Sequence, residues 1–318
     1  MANGAIRLTW RDRNWAEQGH YIYRSQTPMN VNNLPNPLTT VDGNVTEYID
    51  YDVIADQTYY YRIGAYRNND VMVSDEIEVV ATPINLGPGS VDLIGGDMTA
   101  GFFGEVSSNE LITGDDLATQ LGITQGTSQY STEPWLKFAL DDEIIYVPKK
   151  PLRHSISWEH IYQAGAVYGT DDFGNNPSGG DRLQDARVTI DGFEFKVTLL
   201  KGANSDPTAD ESGFDIPLTH NSEWNRLMYP IHSGVHTRAD NPSSPSTPYN
   251  QWASYSDSDI LVHRDFGNGS YNWTQETHGG SDSYRLRRGY IGVTVVYRTT
   301  TTYASSDYGW RPALRLVR

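Results

Sequence analysis

The stretch Val53-Ile-Ala-Asp-Gln-Thr-Tyr-Tyr-Tyr-Arg-Ile-Gly-Ala65 decides the fold of the first part of this chain. Its second half alternates, so that Tyr59, Tyr61, Ile63 and Ala65 fall on one face of an extended strand. Strands place every second side chain on the same face, and aromatic and β-branched residues favour them. We therefore predict a strand here whose alternating residues pack inward.

Short runs of the same alternating kind recur on either side of this stretch, between residues 5 and 81, and polar turn segments divide them. One such run places Ile6, Leu8 and Trp10 on a single face. Several short strands at this spacing are typical of a mainly β fold of the sandwich type. The pattern predicts a β-sandwich over residues 1–83.

This first part resembles a fibronectin type III domain. The resemblance rests on Trp10, on residues 19–25 and on residues 53–65, in which Tyr59 has the position of a tyrosine corner. It implies that the Tyr59 hydroxyl bonds to backbone upstream and that the domain is a spacer or docking module. The usual first strand has no counterpart. We therefore expect the edge at residues 5–10 to be covered by another chain or by the later linker.

Residues 84–130 differ in composition, with no basic residue and six acidic ones. They still contain large apolar residues, among them Phe102 and Phe103, which need a surface to pack on. Thr113 can cap a short helix and Gly122 can end it. The segment is therefore predicted to be an acidic, structured connector with one short helix.

Residues 131–318 mix hairpins with short helices, which indicates an α+β domain. Between residues 233 and 283 loop-forming residues dominate, and long loops on a rigid scaffold commonly carry binding sites. The predicted elements are a hairpin at 135–147, a helix from Ser157, a hairpin turning at Asp191-Gly192, and a helix from Ser222 that ends before Pro230.

Four pieces of this second part form a pattern: Ser222-Glu-Trp-Asn-Arg-Leu-Met228, Tyr271-Asn-Trp-Thr-Gln-Glu276, Arg287-Arg-Gly289 and Gly309-Trp-Arg-Pro312. In this order they resemble the formylglycine-generating-enzyme (sulfatase-modifying-factor) branch of the C-type-lectin-like fold. Enzymes of that branch work through cysteine, and this chain has none. The resemblance therefore implies the scaffold without the chemistry, which leaves a binding surface.

The same pieces imply structural roles for their residues. The tryptophans are expected in the core, and Arg288 and Arg311 are expected to brace the fold through buried carboxylate or carbonyl bonds, with Glu223 and Glu276 as partners. The positions expected to be structural are Trp10, Tyr59, Glu223, Trp224, Trp273, Glu276, Arg288, Gly309, Trp310 and Arg311.

Composition narrows the function classes. A formal charge of −16 argues against nucleic-acid binding, which needs clustered basic residues. The absence of cysteine removes disulfides, thiolate metal sites and cysteine nucleophiles. No apolar run approaches the length of a membrane helix and no signal peptide is visible, so we expect synthesis in the host cytoplasm and no membrane insertion.

The sequence patterns argue against a metal site and against an acid-base catalytic site. His232 and His236 are four residues apart, but Pro230 and Gly234 make a helical metal pair implausible. Asp257 and Asp259 suit helix capping better than calcium binding, and the calcium-lectin sugar signature is absent. Glu276 is a conceivable glycosidase acid without an evident second carboxylate. No metal, cofactor or catalytic residue is therefore expected.

The remaining candidates are aromatic and polar residues of the second part. Tyrosine and tryptophan offer rigid contact area with a polar group, which suits glycans and protein surfaces. The run 297–303 is predicted to be an exposed strand or loop that faces a ligand. The predicted ligand-binding residues are Trp252, Tyr255, Tyr271, His278, Tyr284, Tyr297 and Tyr303.

Pro148-Lys-Lys-Pro151, the 222–228 piece and the closing Gly-Trp-Arg-Pro are similar to domains of tailed-bacteriophage virion proteins, some of which bind receptors. The resemblance implies a non-enzymatic decoration or fibre protein on the virion surface. Its first part would attach to other virion proteins or self-associate, and its second part would bind a host-surface glycan or protein. The alternative is a purely structural head or tail decoration or assembly protein with no host ligand.

Overall fold

A computed structural model of the chain describes residues 3–11, 17–83, 85–176, 179–208, 213–214, 221–235, 251–265, 267–279 and 281–317. The fold is mainly β, as the sequence predicts, and the helices in the described residues are short. The chain divides into two compact units, Met1–Asn85 and Leu86–Arg318. None of the helices in the described ranges is long and apolar enough to cross a membrane.

The first unit is a β-sandwich of two sheets with one core. Its strands are β1 (Asn3–Thr9), β2 (Gly19–Ser25), β3 (Thr39–Asp42), β4 (Glu47–Ile54), β5 (Thr58–Arg67), β6 (Asp70–Val73), β7 (Ile77–Val80) and β8 (Thr82–Pro83). One sheet has the order β4-β1-β8, and the other has the order β3-β2-β5-β6 with β7 also paired to β5. Ile6 and Leu8 from one sheet meet Tyr59, Tyr61 and Ile63 from the other. Ala65 is only half-buried.

Two hydroxyl groups of β5 hold the sandwich together. The backbone N–H of Ile54 donates to the Tyr59 hydroxyl at 3.0 Å, which is the upstream bond of a tyrosine corner. The Tyr61 hydroxyl donates to Asp50 on β4 at 2.6 Å, and Arg24 on β2 donates to the same carboxylate at 2.9 Å. This buried charge is therefore neutralised between the sheets.

The edge of β1 is covered where the strand begins. Residues that follow the last long strand turn back as β8, which pairs Gly4 with Pro83 and Ala5 with Thr82. The edge partner at these positions therefore comes from the last residues of the predicted sandwich itself, and covering by the linker or by another chain stays a prediction.

The second unit contains strands and helices from residue 95 onward. They are β9 (Gly95–Gly96), β10 (Ala100–Val106), α1 (Gly114–Gln120), β11 (Thr127–Ser128), β12 (Trp135–Leu140), β13 (Glu143–Pro148), β14 (Arg153–His154), α2 (Trp158–Gln163), β15 (Arg187–Ile190), β16 (Phe193–Leu199), β17 (Gly213–Phe214), α3 (Glu223–Ile231), α4 (Asp257–Ile260), β18 (Tyr271–His278), β19 (Ser281–Gly289), β20 (Val295–Thr300), β21 (Tyr308–Trp310) and β22 (Pro312–Leu316). Its two sheets have the orders β15-β16-β22-β13-β12-β10-β9 and β11-β14-β21-β18-β19-β20-β17.

The predicted acidic connector contains one helix, but from residue 86 onward it belongs to the second unit and is not a separate connector. β10 pairs along its whole length with β12, and Phe102 is part of the main core. The expected cap of α1 is present, since the Thr113 side chain accepts a hydrogen bond from the Asp116 N–H. Pairing with β12 keeps residues 100–106 extended although loop-forming residues surround them in the sequence.

Helix α3 extends past the predicted end and includes Pro230. The carbonyls of its last turn are satisfied from outside the helix, because Trp252 and Tyr255 donate their backbone N–H groups to Pro230 and Ile231 at 2.9 Å. The predicted loop region 233–283 is also corrected, since it contains α4 and the fully buried strand β18. Residues 236–250 of that region, including His236, lie outside the described residues.

The motif residues form the interior of the second unit. Trp224, Trp273 and Trp310 are buried, and the guanidinium group of Arg311 donates to the carbonyls of Pro148, Lys149 and Ile260. A Cβ at Gly309 would lie 2.8 Å from the Gly269 carbonyl oxygen, so only glycine fits there.

The expected acidic partners of the two arginines were wrong. Arg288 donates to the Gly202 carbonyl and to the Asn225 side chain at 2.9 and 2.8 Å. Glu223 instead pairs with Arg315 at 2.6 Å, and Glu276 accepts from the Gly202 N–H. Of the two kinds of acceptor expected, carboxylate or carbonyl, both arginines use carbonyl oxygens, and Arg288 adds the amide oxygen of Asn225.

Candidate binding surface

Successive side chains of strand β19 point to opposite faces of the sheet, so Arg287 and Arg288 lie in different surroundings. Leu286 and Arg288 are fully buried, and Leu286 packs in a core cluster with Ala203 and Val296. Arg287 has the opposite orientation and pairs across the strands with Trp273 on β18 and Tyr297 on β20. This face of the sheet therefore carries a row of aromatic, basic and aromatic side chains, which is buried at Trp273 and half-buried at Tyr297.

Five tyrosines surround this row, and we call them the tyrosine patch: Tyr271, Tyr290, Tyr297, Tyr303 and Tyr308. The Tyr271 and Tyr290 rings stack with centroids 4.1 Å apart, and Tyr271 also stacks on Tyr308 at 5.6 Å. Tyr297 meets Tyr290 edge to face at 6.2 Å, and Tyr303 meets Tyr308 in the same way at 5.1 Å. These separations are those of favourable aromatic pairs, so the rings form a continuous surface.

The patch has a buried floor and an exposed rim. Tyr271 and Tyr308 are only 7% and 6% exposed, Tyr290 and Tyr297 are half-buried, and Tyr303 is 50% exposed. Aromatic surface that stays accessible around a packed floor is typical of recognition sites.

Arg287 lies within the patch. Its guanidinium carbon is 3.6 Å from the Tyr271 ring centroid and 4.8 Å from that of Tyr308, and it donates to the Tyr308 hydroxyl. Burial is the main cause that lowers the pKa of Arg287, because removing a charge from water disfavours the charged form.

A second arginine marks the rim. Arg264 donates to the Tyr290 hydroxyl at 2.8 Å and lies over the Tyr290 ring at 5.2 Å. Tyr290 has a φ of +89°, a conformation unfavourable for a residue with a side chain. Its backbone is held there from both sides, since it donates to the Ser270 carbonyl and accepts from the Arg264 N–H.

Three of the seven predicted ligand-binding residues belong to this patch: Tyr271, Tyr297 and Tyr303. Among the other four, Trp252 and Tyr255 pack on the main core, where the Tyr255 hydroxyl donates to Glu105 at 2.7 Å. His278 and Tyr284 pair at 6.2 Å near the turn between β18 and β19, at the far end of these strands from Tyr271. The seven residues therefore do not form one site.

Four residues of the surface were missed: Arg264, Arg287, Tyr290 and Tyr308. Strand alternation could have indicated Arg287, since it falls on the opposite face from the core residues Leu286 and Arg288. Tyr290 follows three residues later, whereas Arg264 and Tyr308 lie near it only through contacts between distant segments.

Acidic groups elsewhere have structural partners. Glu276 is 2% exposed, so it lies inside the fold and not in a cleft. Glu143 and Glu223 line a groove of about 300 Å³, where both bind the guanidinium of Arg315 at 2.7 and 2.6 Å. A glycosidase pair needs one free acid and one free base, which this shared arginine opposes.

The aspartates considered for metal binding accept hydrogen bonds from backbone N–H groups. Asp257 accepts from the Val293 N–H at 2.7 Å, and Asp259 accepts from the Ser256 N–H at 2.8 Å at the start of α4. Within the described ranges there is no group of three or more histidine or acidic side chains placed to hold a metal ion.

Comparison with known proteins adds no assignment. No protein-family model matches this chain, and no curated protein matches its sequence.

Proposed function

We propose that this chain is a non-enzymatic surface protein of a tailed-bacteriophage particle that binds a host-surface glycan or protein through the tyrosine patch. The observation that carries the binding role is the partly exposed stack of five tyrosines around an arginine on a rigid sheet. The virion setting rests on the resemblance of the sequence motifs and on the absence of cysteine.

The first unit supplies a surface for attachment. β6 and β7 lie at one edge of their sheet, and no strand in the described residues pairs with their outer side. Val71, Met72, Ile77 and Val80 are exposed on these strands. An apolar strand edge favours pairing with another chain, which suits docking on a neighbouring virion protein or self-association.

Weak binding by each copy is sufficient in this arrangement. Many copies on one particle raise the effective affinity for a cell surface, because each bound copy holds its neighbours close to further ligands. A small aromatic patch of this kind therefore supports attachment without a deep pocket.

Glycan-array binding of the full chain tests the proposal. Tyr303→Ala and Tyr297→Ala should each reduce binding to the recognised glycan by about tenfold or more, since aromatic anchors dominate such contacts. Tyr60→Ala, at a half-buried tyrosine of the first unit, should bind as the unchanged protein does. Equal binding by all of these proteins would contradict the assignment of the patch.

Tyrosine nitration of intact particles separates host binding from a purely structural role. Tyr303 is half exposed in the chain and should be modified as fast on the particle as in the free protein. Strong protection on the particle would show that another virion chain covers the patch, and it would favour the structural alternative.

A further inference from the structure

Arg287 forms fewer hydrogen bonds than the other largely buried arginines of the second unit. Arg285 donates to the carbonyls of Asp282, Tyr284 and Asn175, and Arg315 donates to two carboxylates. Arg288 and Arg311 each use several carbonyl or amide acceptors. Among the described residues Arg287 has a single acceptor, the Tyr308 hydroxyl, and its buried Nε, like that of Arg285, has no hydrogen-bond partner.

This arginine is also without a neutralising charge. It is 9% exposed, and no carboxylate of the described residues lies within ion-pair distance of it. Asp307 acts on it only through space. Burying a cation without a counter-charge costs several kcal/mol, and the tyrosine rings offset part of that cost through cation–π contacts.

Because the Nε atom is buried, the terminal N–H groups of Arg287 define the chemistry of a ligand. A guanidinium presents a planar set of N–H groups that matches a carboxylate better than it matches a neutral hydroxyl. The rings of Tyr297 and Tyr303 can hold the apolar face of a sugar ring beside it. Arg264 adds a second positive group at the rim, where its partner Asp265 balances it in part.

We propose that the tyrosine patch selects acidic saccharides, with Arg287 binding the carboxylate of a sugar acid. The inference rests on the proposed function and specifies the class of glycan. Because the whole chain carries a charge of −16, an anion is repelled from most of the surface. A local, unpaired cation is therefore what makes binding of an acidic sugar possible at this face.

The test is an NMR titration of the full chain with glucuronic acid, glucose and glucose 6-phosphate at low salt. Glucuronic acid should bind about tenfold more tightly than glucose, which has the same ring with a hydroxymethyl group in place of the carboxylate. Arg287→Met should abolish this preference, so that glucuronic acid binds no more tightly than glucose. Arg264→Met should reduce it only in part.

Thermal unfolding of the variants separates the site from a structural role. Removing an uncompensated buried charge should leave the melting temperature of Arg287→Met unchanged or raised, whereas Arg288→Met should lower it because its acceptors lose their donor. A large loss of stability in Arg287→Met would assign the residue to the fold and overturn the proposal.

Two binding results would also overturn it. The first is equal affinity for glucuronic acid and glucose, and the second is tighter binding of glucose 6-phosphate than of glucuronic acid. If neutral sugars bind and depend on Tyr297 and Tyr303, the proposed function stands while the acid preference fails. If no sugar or array glycan binds and the tyrosine variants have no effect, the proposed function itself fails.

Discussion

Raising the pH from about 5 to about 8 should destabilise the second unit through Glu276. This side chain is 2% exposed, and each of its carboxylate oxygens lies 3.0–3.1 Å from the Gly202 nitrogen, whose N–H donates to them. Burial is the largest cause that raises the pKa of Glu276 from 4.5 to about 7, and the Gly202 hydrogen bond opposes it. The folded protein therefore keeps a proton that the unfolded chain has already released.

The sign follows from proton linkage. Since the pKa is higher in the folded state, the stabilisation from protonated Glu276 is complete below the unfolded pKa and is lost as the pH rises through about 7. Each tenfold change in proton affinity corresponds to about 1.4 kcal/mol, so the loss between these limits is about 3 kcal/mol. Above about pH 8 the contribution should no longer change.

Denaturant unfolding of the full chain, followed by tryptophan fluorescence at several pH values, measures this loss. Glu276→Gln keeps the size of the side chain without a titrating charge. The free energy of unfolding of the unchanged protein relative to this variant should fall by about 3 kcal/mol over the range. Glu194→Gln, at an exposed carboxylate of the same unit, is the control and should produce no such dependence. A difference between the unchanged protein and Glu276→Gln that stays constant within about 0.5 kcal/mol would refute the reasoning.

Three further substitutions test the contacts that hold each unit. Tyr59→Phe removes the acceptor of the Ile54 N–H and should lower the stability of the first unit by about 1 kcal/mol in denaturant unfolding, and an unchanged midpoint would contradict the tyrosine corner. Tyr146→Phe removes the donor to the Pro88 carbonyl at 2.7 Å and should accelerate hydrogen exchange in residues 86–90, whereas unaltered exchange would mean that this bond does not anchor the segment. Arg315→Met leaves Glu223 without its ion-pair partner and, among the described residues, with only the Lys201 N–H as donor, and it should cost about 2 kcal/mol. Arg187→Met at a more exposed pair should cost clearly less, and similar losses in both would exclude a special role for the largely buried pair.

Features that depend on a few neighbouring residues could be predicted from the sequence. The alternation in residues 58–63 determined which side chains of β5 enter the core. Asp191 and Gly192 adopt positive φ values of 48° and 85° in a hairpin turn, and Thr113 caps α1, as their types predict. Each of these structures is stabilised within one turn or one strand, so local propensity was sufficient.

The sequence could not predict which residues or strands of distant segments pair with one another. The sequence offers several acidic residues for each arginine, and only the folded chain brings Arg315 to Glu223 and leaves Arg288 with neutral acceptors. In the same way, β10 falls within the predicted connector, because nothing near it in sequence indicates its pairing with β12.

The sequence by itself determined that the chain is mainly β, that its first part is a sandwich, and that tyrosines abound in the second part. The tertiary structure decided which tyrosines meet. Tyr271, Tyr297 and Tyr308 converge on Arg287 because of the register among β18, β19, β20 and β21. A shift of one residue in any pairing would turn a side chain to the opposite face, so the patch is a property of strand register and not of composition.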